Sequence, residues 1–307
     1  MTDLMKKLPL AIETPLAVVC HDSGAANLIF AWLDAWNASD TLGKHEFRLH
    51  LMGPANSVWL ANPVNLTHVK IYSDLHEALN GANCVLTGTG WSSSLEHDAR
   101  KIAIDMQIPS IAVIDHWVNY EQRFKHHGEI ILPDSIWVSD QYATSLAQSI
   151  FKNLKVFELP NTYLVNIVNK IPKIPKCTFN LLYVLEPLRN NWGKGIEGEF
   201  QALDFFAENI RSIVKKKRVN ITLRPHPSDP PGKYTNWIKA NSYLNVSLDQ
   251  HETLNEAIAG SRWVVGAETF AMVVAITSGR STWSSLPPWA HRCRLPQTGI
   301  KHLRDYV

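Results

Sequence analysis

The chain has no hydrophobic run long enough to cross a bilayer and no strong excess of charge of either sign. Nothing in its 307 residues approaches about eighteen uncharged apolar residues in a row, and two lysines but no unbroken apolar segment precede the first predicted strand. The formal net charge is only +2, which gives no electrostatic footprint for nucleic acid. We therefore expect a cytoplasmic protein that binds no nucleic acid.

Cysteine is scarce and scattered through the chain. Cys20, Cys84, Cys177 and Cys293 stand singly, without the CxxC spacing of zinc or redox sites, so we interpret them as reduced thiols. The sequence also lacks a DxD motif of the kind that holds Mg²⁺ on a diphosphate, and we predict neither a metal nor a cofactor. A pI near 8.3 is compatible with an anionic ligand or surface, so peripheral association with an inner membrane stays open beside a purely cytoplasmic location.

The composition is that of an ordinary globular protein, with 45% hydrophobic and 19% charged residues, and the length favours two domains over one core. Short β-rich runs alternate with longer helical patterns throughout, which is typical of parallel sheets with crossover helices. We predict an α/β fold of two Rossmann-like domains. A cleft between the domains, at loops that follow the carboxyl ends of the strands, is the expected ligand site.

The alternation gives element boundaries in both halves of the chain. In the first half we predict strands at 16–20, 47–53, 68–72, 83–88, 110–115, 136–140 and 155–159 and helices at 25–36, 74–80, 92–107 and 141–151. In the second half the strands are 180–187, 219–227, 244–248 and 262–268, and the helices are 197–216, one near Trp237, 254–259 and 269–278.

The segment 159–176 interrupts this rhythm with three prolines and no clear period, so we interpret it as an interdomain linker. The predicted domains are an acceptor-binding domain at 1–165 and a nucleotide-sugar-binding domain at 166–307. We leave open whether the end of the chain crosses back to the first domain.

The strongest chemical signal is Arg224-Pro225-His226-Pro227, directly after the predicted strand VNITL. The prolines restrict the backbone around the histidine, so that two donors, one of them permanently cationic, are presented at the end of a strand. We predict that Arg224 and His226 bind phosphate. The alternative is a proline-stiffened loop whose Arg and His are only solvated.

A second signal is WVVGAETFAMVVA at 263–275, a buried strand that leads into a helix of small and apolar residues. Thr269 can cap that helix, whose free amides attract a phosphate, and Glu268 can bind ribose hydroxyls. With Arg224 and His226 these residues make a predicted nucleotide site. The alternative is an ordinary helix cap followed by an acidic first turn.

Three loops of the first half carry the candidate acceptor site. They are HDSGAAN after the first strand, TGTGWSSSLEHD at 87–98 and IDHWVNYEQRF at 114–124. Carboxylates there are candidate general bases, and aromatic rings can stack on sugars. The candidate acceptor-binding residues are His21, Ser23, Trp91, His116 and Trp117.

The candidate bases are ranked by their surroundings. Asp115 follows an apolar strand, and partial desolvation is expected to raise its pKa towards the range useful for a base. Asp22 is expected to cap the first helix, which lowers the pKa and the basicity of its carboxyl group. We therefore prefer Asp115 to Asp22, with Glu96 next.

The His226-Pro227 motif, the hydroxyl residue Thr269 at a later helix start and the two-domain layout resemble GT-B glycosyltransferases. More narrowly they resemble bacterial HP-motif transferases of the sialyltransferase-like and capsule type. The resemblance implies a CMP-activated nonulosonic acid as donor, a glycan or glycolipid acceptor, His226 on the CMP phosphate and as a possible acid, Thr269 as a phosphate ligand, and an acidic base in the N-terminal domain. The glycine-containing acidic pair of some relatives is absent, and a Ser-Ser pair occurs only at Ser284 and Ser285.

Three functions compete at this stage. The first is an inverting, metal-independent glycosyl transfer in surface polysaccharide or glycoconjugate synthesis. The second is a hydrolysing nucleotide-sugar 2-epimerase, which requires more acid and base residues around the sugar. The third is a non-catalytic nucleotide-sugar-binding subunit.

Overall fold

A computed structural model describes residues 13–38, 45–174, 178–188 and 190–307, and these residues form two compact α/β units. The division falls after Tyr163. Cys177 lies outside the described residues. Among the residues described, no helix is both long and apolar enough to span a bilayer.

The first unit is built on a parallel sheet of seven strands. In chain order the strands of this sheet are β1 Leu16–Cys20, β2 Glu46–Leu51, β3 His68–Ile71, β4 Cys84–Thr87, β5 Ser110–Val113, β8 Ser135–Val138 and β9 Lys155–Glu158. A separate two-stranded hairpin consists of β6 Lys125–His126 and β7 Glu129–Ile130. The helices are α1 Ser23–Ala38, α2 Gly53–Ala61, α3 Leu75–Leu79, α4 Leu95–Asp105 and α5 Gln141–Ile150, and α6 Thr162–Asn169 spans the division. The sheet order is β3-β2-β1-β4-β5-β8-β9.

The second unit repeats the plan with six parallel strands in the order β12-β11-β10-β13-β14-β15. Its strands are β10 Asn180–Val184, β11 Asn220–Arg224, β12 Val246–Leu248, β13 Trp263–Gly266, β14 Ser281–Ser284 and β15 Lys301–His302. Its helices are α7 Gly198–Val214, α8 Thr235–Ala240, α9 Leu254–Ala259 and α10 Phe270–Thr277.

In both units the strand order reverses beside the first strand, which is β1 in one sheet and β10 in the other. Each of these strands pairs with its successor on one side and with a later strand on the other, β4 or β13. Open α/β sheets bind ligands outside the carboxyl ends of the strands at such a reversal. The topology therefore indicates that the loops after β1, β4, β10 and β13 are candidate ligand sites.

Central strands such as β1, β4, β5 and β8 are buried along their whole length because helices cover both faces of a parallel sheet. In the first unit, Trp32 and Trp36 of α1 meet Trp137 of β8 edge to face, with ring centroids 5.9 and 6.1 Å apart. In the second unit, Tyr183 packs on Phe206 of α7 at 5.0 Å. These aromatic contacts hold the helices on the sheets.

The division between the units falls within the predicted linker segment 159–176, and the structure adds detail to two connections. The segment predicted as a linker contains the helix α6, because Pro160 and Pro172 lie outside Thr162–Asn169 and leave the helix interior free of proline. The end of the chain does not cross back. Strand β15 pairs with β14 of the second sheet, and a 3₁₀ turn at Leu303–Asp305 packs on α7.

Candidate active site

The carboxyl edge of the first sheet gathers three acidic side chains. Asp22 follows β1, Glu96 lies in the first turn of α4, and Asp115 stands just beyond β5. The charges of Asp115 and Glu96 both raise the pKa of Asp22, which places the three side chains near one another. The sequence placed these residues in one acceptor site, and the structure brings them together.

Asp22 uses one carboxylate oxygen to hold the start of α1. Its Oδ1 accepts hydrogen bonds from the amides of Gly24 (2.8 Å) and Ala25 (3.2 Å). Its Oδ2 is buried, and no hydrogen-bond partner for it occurs among the described residues. Burial, followed by the charges of Asp115 and Glu96, raises the pKa of Asp22 to about 7 against the opposing effects of the Ala25 amide and Arg123. Capping does lower the pKa of Asp22 as expected, but burial and the two neighbouring carboxylates outweigh it, so the expected net decrease is wrong.

Two glycines make room for the carboxylates. A Cβ atom on Gly24 would stand 1.9 Å from Asp115 Oδ2, and one on Gly90 would stand 2.7 Å from Asp22 Oδ2. Neither distance is possible for real atoms, so only glycine fits at these positions without a shift of the acidic side chains. The bare backbone of the first turn of α1 and of the loop at Gly90 therefore lies directly against the carboxylates.

Asp115 is paired with a cation. Arg123 Nη1 donates to Asp115 Oδ1 at 2.8 Å and to Thr89 Oγ1 at 3.2 Å, and Arg123 Nε donates to the carbonyl of Val118 at 3.1 Å. The same guanidinium lies over the ring of Trp91, 5.6 Å from its centroid. The apolar strand before Asp115 gives no sign of this arginine, which lies eight residues further along the chain.

Glu96 is completely buried and supports the loop after β1. Its Oε1 accepts from the amide of His21 at 2.7 Å, while its Oε2 has no hydrogen-bond partner within the described part of the chain. Burial raises the pKa of Glu96, although the His21 amide and the charge of Arg100 oppose the rise. Buried Arg100 in turn donates to Thr87 Oγ1 and to the carbonyl of Gly88. This position fits a residue that organises the site better than one that touches substrate.

The predicted acceptor-binding residues separate into two groups. Trp91 is 47% exposed and Ser23 is exposed at the start of α1, so both are accessible to a ligand. His21 packs against Gly53, with Ser92 Oγ 3.4 Å from its Nδ1. Trp117 is only 4% exposed and donates to Asp140 Oδ2 at 2.8 Å, so its ring is part of the core.

In this structure the Trp117 ring is not presented for the predicted stacking on a sugar. Asp140 holds the indole while its other oxygen caps α5 through the amide of Ala143, which accounts for the burial. His116 is half-buried and packs its ring on Trp117, at 5.4 Å between centroids.

In the second unit, Arg224 is engaged with its own loop. It forms an ion pair with Asp249, which follows the neighbouring strand β12, and donates to the carbonyls of His251 (3.1 Å) and Glu252 (3.2 Å). The guanidinium thus fixes the segment that leads into α9. Arg224 was predicted to bind phosphate. Its guanidinium group is instead paired with Asp249, because β11 and β12 are neighbours and their carboxyl ends lie side by side.

His226 has a defined tautomer. The amide of Ser228 donates to its Nδ1 at 3.2 Å, and Ser228 Oγ lies 2.7 Å from the same atom. An amide only donates, so Nδ1 is an acceptor and the neutral ring carries its proton on Nε2. Burial lowers the pKa of His226, which also favours the neutral ring. The exposed imidazole therefore offers one N–H donor.

A buried ionic network that the sequence analysis missed supports the histidine. Lys233 Nζ bridges Glu199 Oε1 (2.6 Å) and Asp229 Oδ1 (2.8 Å), and Tyr234 donates to Asp229 Oδ2 at 3.0 Å. The amide of His226 donates to the same Oδ2 at 2.9 Å. The network ties the loop after β11 to α7. In the sequence, the only indication of this network was the i, i+4 spacing of Asp229 and Lys233, which favours an ion pair.

Glu268 is also occupied. Arg294 Nη2 and His291 Nε2 lie 2.5 and 3.0 Å from its Oε1, and the Arg294 amide donates to its Oε2 at 3.1 Å. Although burial alone would raise the pKa of Glu268, these bonds to Arg294 lower it. Glu268 was predicted to bind ribose hydroxyls. Its carboxylate is instead occupied by Arg294, which lies 26 residues further along the chain.

Thr269 caps α10 as predicted, with its Oγ1 3.5 Å from the Ala271 amide. The amide of Glu268 donates at 2.9 Å to Glu186 Oε1, a carboxylate just beyond β10 that the sequence analysis did not select. Burial raises the pKa of Glu186 to about 7, and the Glu268 amide and Arg294 oppose this rise. The switch point of the second sheet thus holds an easily protonated carboxyl group beside a helix start.

Comparisons with known proteins show the fold. No protein-family model and no curated protein matches the chain. A solved structure named as a UDP-N-acetylglucosamine 2-epimerase from Listeria monocytogenes aligns with 87% of this chain and 78% of its own, at a TM-score of 0.60 and 11% identity. The UDP-GlcNAc 2-epimerase from Neisseria meningitidis, bound to UDP-GlcNAc, aligns with 88% and 81%, at 0.56 and 13%.

A third similar structure is the glycosyltransferase of kitacinnamycin, which aligns with 95% of this chain and 88% of its own, at a TM-score of 0.54 and 10% identity. Such low identities establish a likeness of fold and leave the activity open. The chain therefore has the α/β fold of two Rossmann-like units that was predicted, and its structural neighbours are GT-B proteins.

Proposed function

We propose that the chain is a glycosyltransferase that uses a nucleotide-activated sugar, with Asp22 as the general base. The observation that carries the proposal is the carboxyl group of Asp22, whose buried Oδ2 lacks a partner in the described chain and whose pKa is about 7. A general base works best when its pKa lies near the operating pH. In this proposal Asp115 is a neighbouring carboxylate that is paired with Arg123, and Glu96 supports the loop that carries Asp22.

In the proposed reaction, Asp22 Oδ2 accepts the proton of an acceptor hydroxyl group. The hydroxyl oxygen attacks the anomeric carbon, the bond from that carbon to the phosphate oxygen breaks, and its electron pair stays on the nucleotide. The proton then leaves Asp22 for solvent. Charge on the departing phosphate is stabilised by the His226 Nε2–H group and by backbone amides at the start of α10.

Trp91, held over Arg123, supplies an exposed ring for the acceptor sugar.

The nucleotide is the finer part of the proposal. A CMP-activated nonulosonic acid is supported by the His226-Pro227 motif alone, whereas the Neisseria structure holds UDP-GlcNAc. We retain the CMP-sugar as the first donor to test and a UDP-sugar as the second. The acceptor is a glycan or glycolipid hydroxyl group.

A hydrolysing 2-epimerase is the second candidate, and a specific observation favours it. Each unit holds one carboxyl group whose pKa is raised to about 7, Asp22 in the first and Glu186 in the second, and an epimerase needs more acid and base groups than simple transfer does. The two structures with the higher TM-scores above carry epimerase names. Release of nucleotide without any acceptor, together with a sugar epimerised at C2, would replace the transferase proposal.

The experiment is incubation of the full chain with CMP-, UDP-, GDP- and TDP-sugars, with and without a mixture of glycan acceptors, while free nucleotide is measured. A transferase releases nucleotide only with a donor and an acceptor together. Asp105→Asn, at the exposed end of α4, serves as the matched control for Asp22→Asn because it removes the same charge outside the site. Binding of nucleotide sugars without any turnover would instead indicate a non-catalytic subunit.

A further inference from the structure

A groove of about 920 Å³ lies at the amino edge of the second sheet, on the far side of that unit from His226 and Glu186. Helix α7 starts at the carboxyl edge and ends at Val214, and the chain enters β11 at Asn220. The groove is formed by the end of α7, this connection and the segment before β12. A ligand bound there would leave the carboxyl edge of the same sheet accessible.

Five cationic side chains line the groove, and none of its described lining residues is acidic. They are Arg211, Lys215, Lys216, Lys217 and Arg218. All five are exposed, and no ion pair joins any of them to an acidic group in the described ranges. Favourable interaction with the helix dipole accounts for cations in the last turn of α7, but it decays within that turn and does not explain the residues up to Arg218.

The five cations of the groove account for the positive sign of the net charge. The whole chain has 30 Lys and Arg against 28 Asp and Glu, so without these five cations the remaining 25 are outnumbered by the acidic residues. A long polyanion such as nucleic acid would extend from the groove across surface that is weakly acidic on balance, which opposes its binding.

Exposed aromatic rings flank the cations. Tyr243 lines the groove and is 72% exposed, and Phe179 is 39% exposed with Lys217 Nζ 5.1 Å from its ring centroid. Tyrosine is well suited to a membrane interface because its ring is apolar and its hydroxyl group remains hydrated. Clusters of four to eight Lys and Arg bind anionic headgroups. We propose that this groove docks the protein reversibly on an anionic phospholipid surface.

The test is flotation of the full chain with vesicles of phosphatidylcholine alone or of equal parts phosphatidylcholine and phosphatidylglycerol. The wild type should float only with the phosphatidylglycerol vesicles, and high salt should release it because the attraction is screened. The variant Lys216→Gln/Lys217→Gln/Arg218→Gln should bind about a hundredfold more weakly, roughly fivefold for each charge. Tyr243→Ser should also weaken binding.

The matched control is Lys152→Gln/Lys155→Gln/Lys239→Gln, which removes the same charge from exposed positions outside the groove and should float like the wild type. Equal binding of the wild type to both kinds of vesicle, or equal loss in both triple variants, would overturn the proposal. A single-stranded oligonucleotide that bound more tightly than the vesicles and lost its affinity in the groove variant would assign the groove to nucleic acid instead.

Discussion

Arg123 donates a 2.8 Å hydrogen bond to Asp115, and this pairing decides which carboxylate of the first unit is available as a base. Asp115 has a cation on one oxygen, whereas Asp22 keeps a buried oxygen with no partner among the described residues and a pKa of about 7. The sequence argument had ranked the two residues in the opposite order.

The pH profile of turnover should respond to Arg123. Its positive charge lowers the pKa of Asp22, so Arg123→Gln should raise that pKa and move the acidic limb of the kcat/KM profile to higher pH. The profile of Lys152→Gln, a change of the same charge at an exposed position of the first unit, should stay in place. An unmoved limb in Arg123→Gln would show that a group other than Asp22 controls it.

The ionised carboxylate of Asp22 should lower the free energy of unfolding of the protein at neutral pH. Its folded pKa lies above the unfolded value of 3.8, so the native state binds more protons and stability falls as the pH rises from about 4 through 7. Asp22→Asn keeps an oxygen for the α1 amides and removes the charge. Its free energy of unfolding should exceed the wild-type value by about 4 kcal/mol at pH 8, at about 1.36 kcal/mol for each unit of the rise in pKa from 3.8 to about 7, and nearly match it at pH 4. Urea titrations at both pH values check this, and a less stable variant at pH 8 would contradict it.

Gly24→Ala should disrupt the carboxylate cluster, because the new methyl group would occupy the place of Asp115 Oδ2. The shift should lower the free energy of unfolding by about 1–3 kcal/mol, as overpacking usually does. Gly260→Ala is the control, since nothing lies within 4 Å of its added methyl group. Urea unfolding of both variants provides the comparison, and equal stabilities would show that the pocket tolerates the extra carbon.

Lys233→Met should leave Asp229 and Glu199 as buried carboxylates without their shared cation. The free energy of unfolding should fall by about 3 kcal/mol, and the RPHP loop should lose its rigid attachment to α7. Lys101→Met, which breaks an exposed ion pair with Glu129, should have little effect. Thermal unfolding distinguishes the variants, and a harmless Lys233→Met would mean that the network does not hold the loop.

Much of the fold was predictable because hydrophobic periodicity and strand length are local properties. The elements around β1, α5 and α9 lie where the patterns put them. The division between the two units falls within the predicted linker segment 159–176. The helix α6 inside it was missed because proline was weighed above the proline-free stretch that forms it.

The site was predictable only in part, because partners arrive from distant loops. Arg294 reaches Glu268 from 26 residues away, and Asp249 reaches Arg224 from the end of the neighbouring strand. No spacing rule in one sequence reveals such pairs. Glu186 was accessible to the strand-end rule that selected Asp22 and Asp115, since it lies at the carboxyl end of β10, but it was not considered.

The central claim is that Asp22 is the base, and the most direct test is nucleotide release by Asp22→Asn and Asp115→Asn under saturating donor and acceptor. Asp22→Asn should lower kcat by roughly two to four orders of magnitude, the usual contribution of a general base, with nucleotide affinity unchanged. Asp115→Asn should lose less, because it leaves Asp22 in place. Full turnover by Asp22→Asn beside an inactive Asp115→Asn would contradict the account and return the role to Asp115.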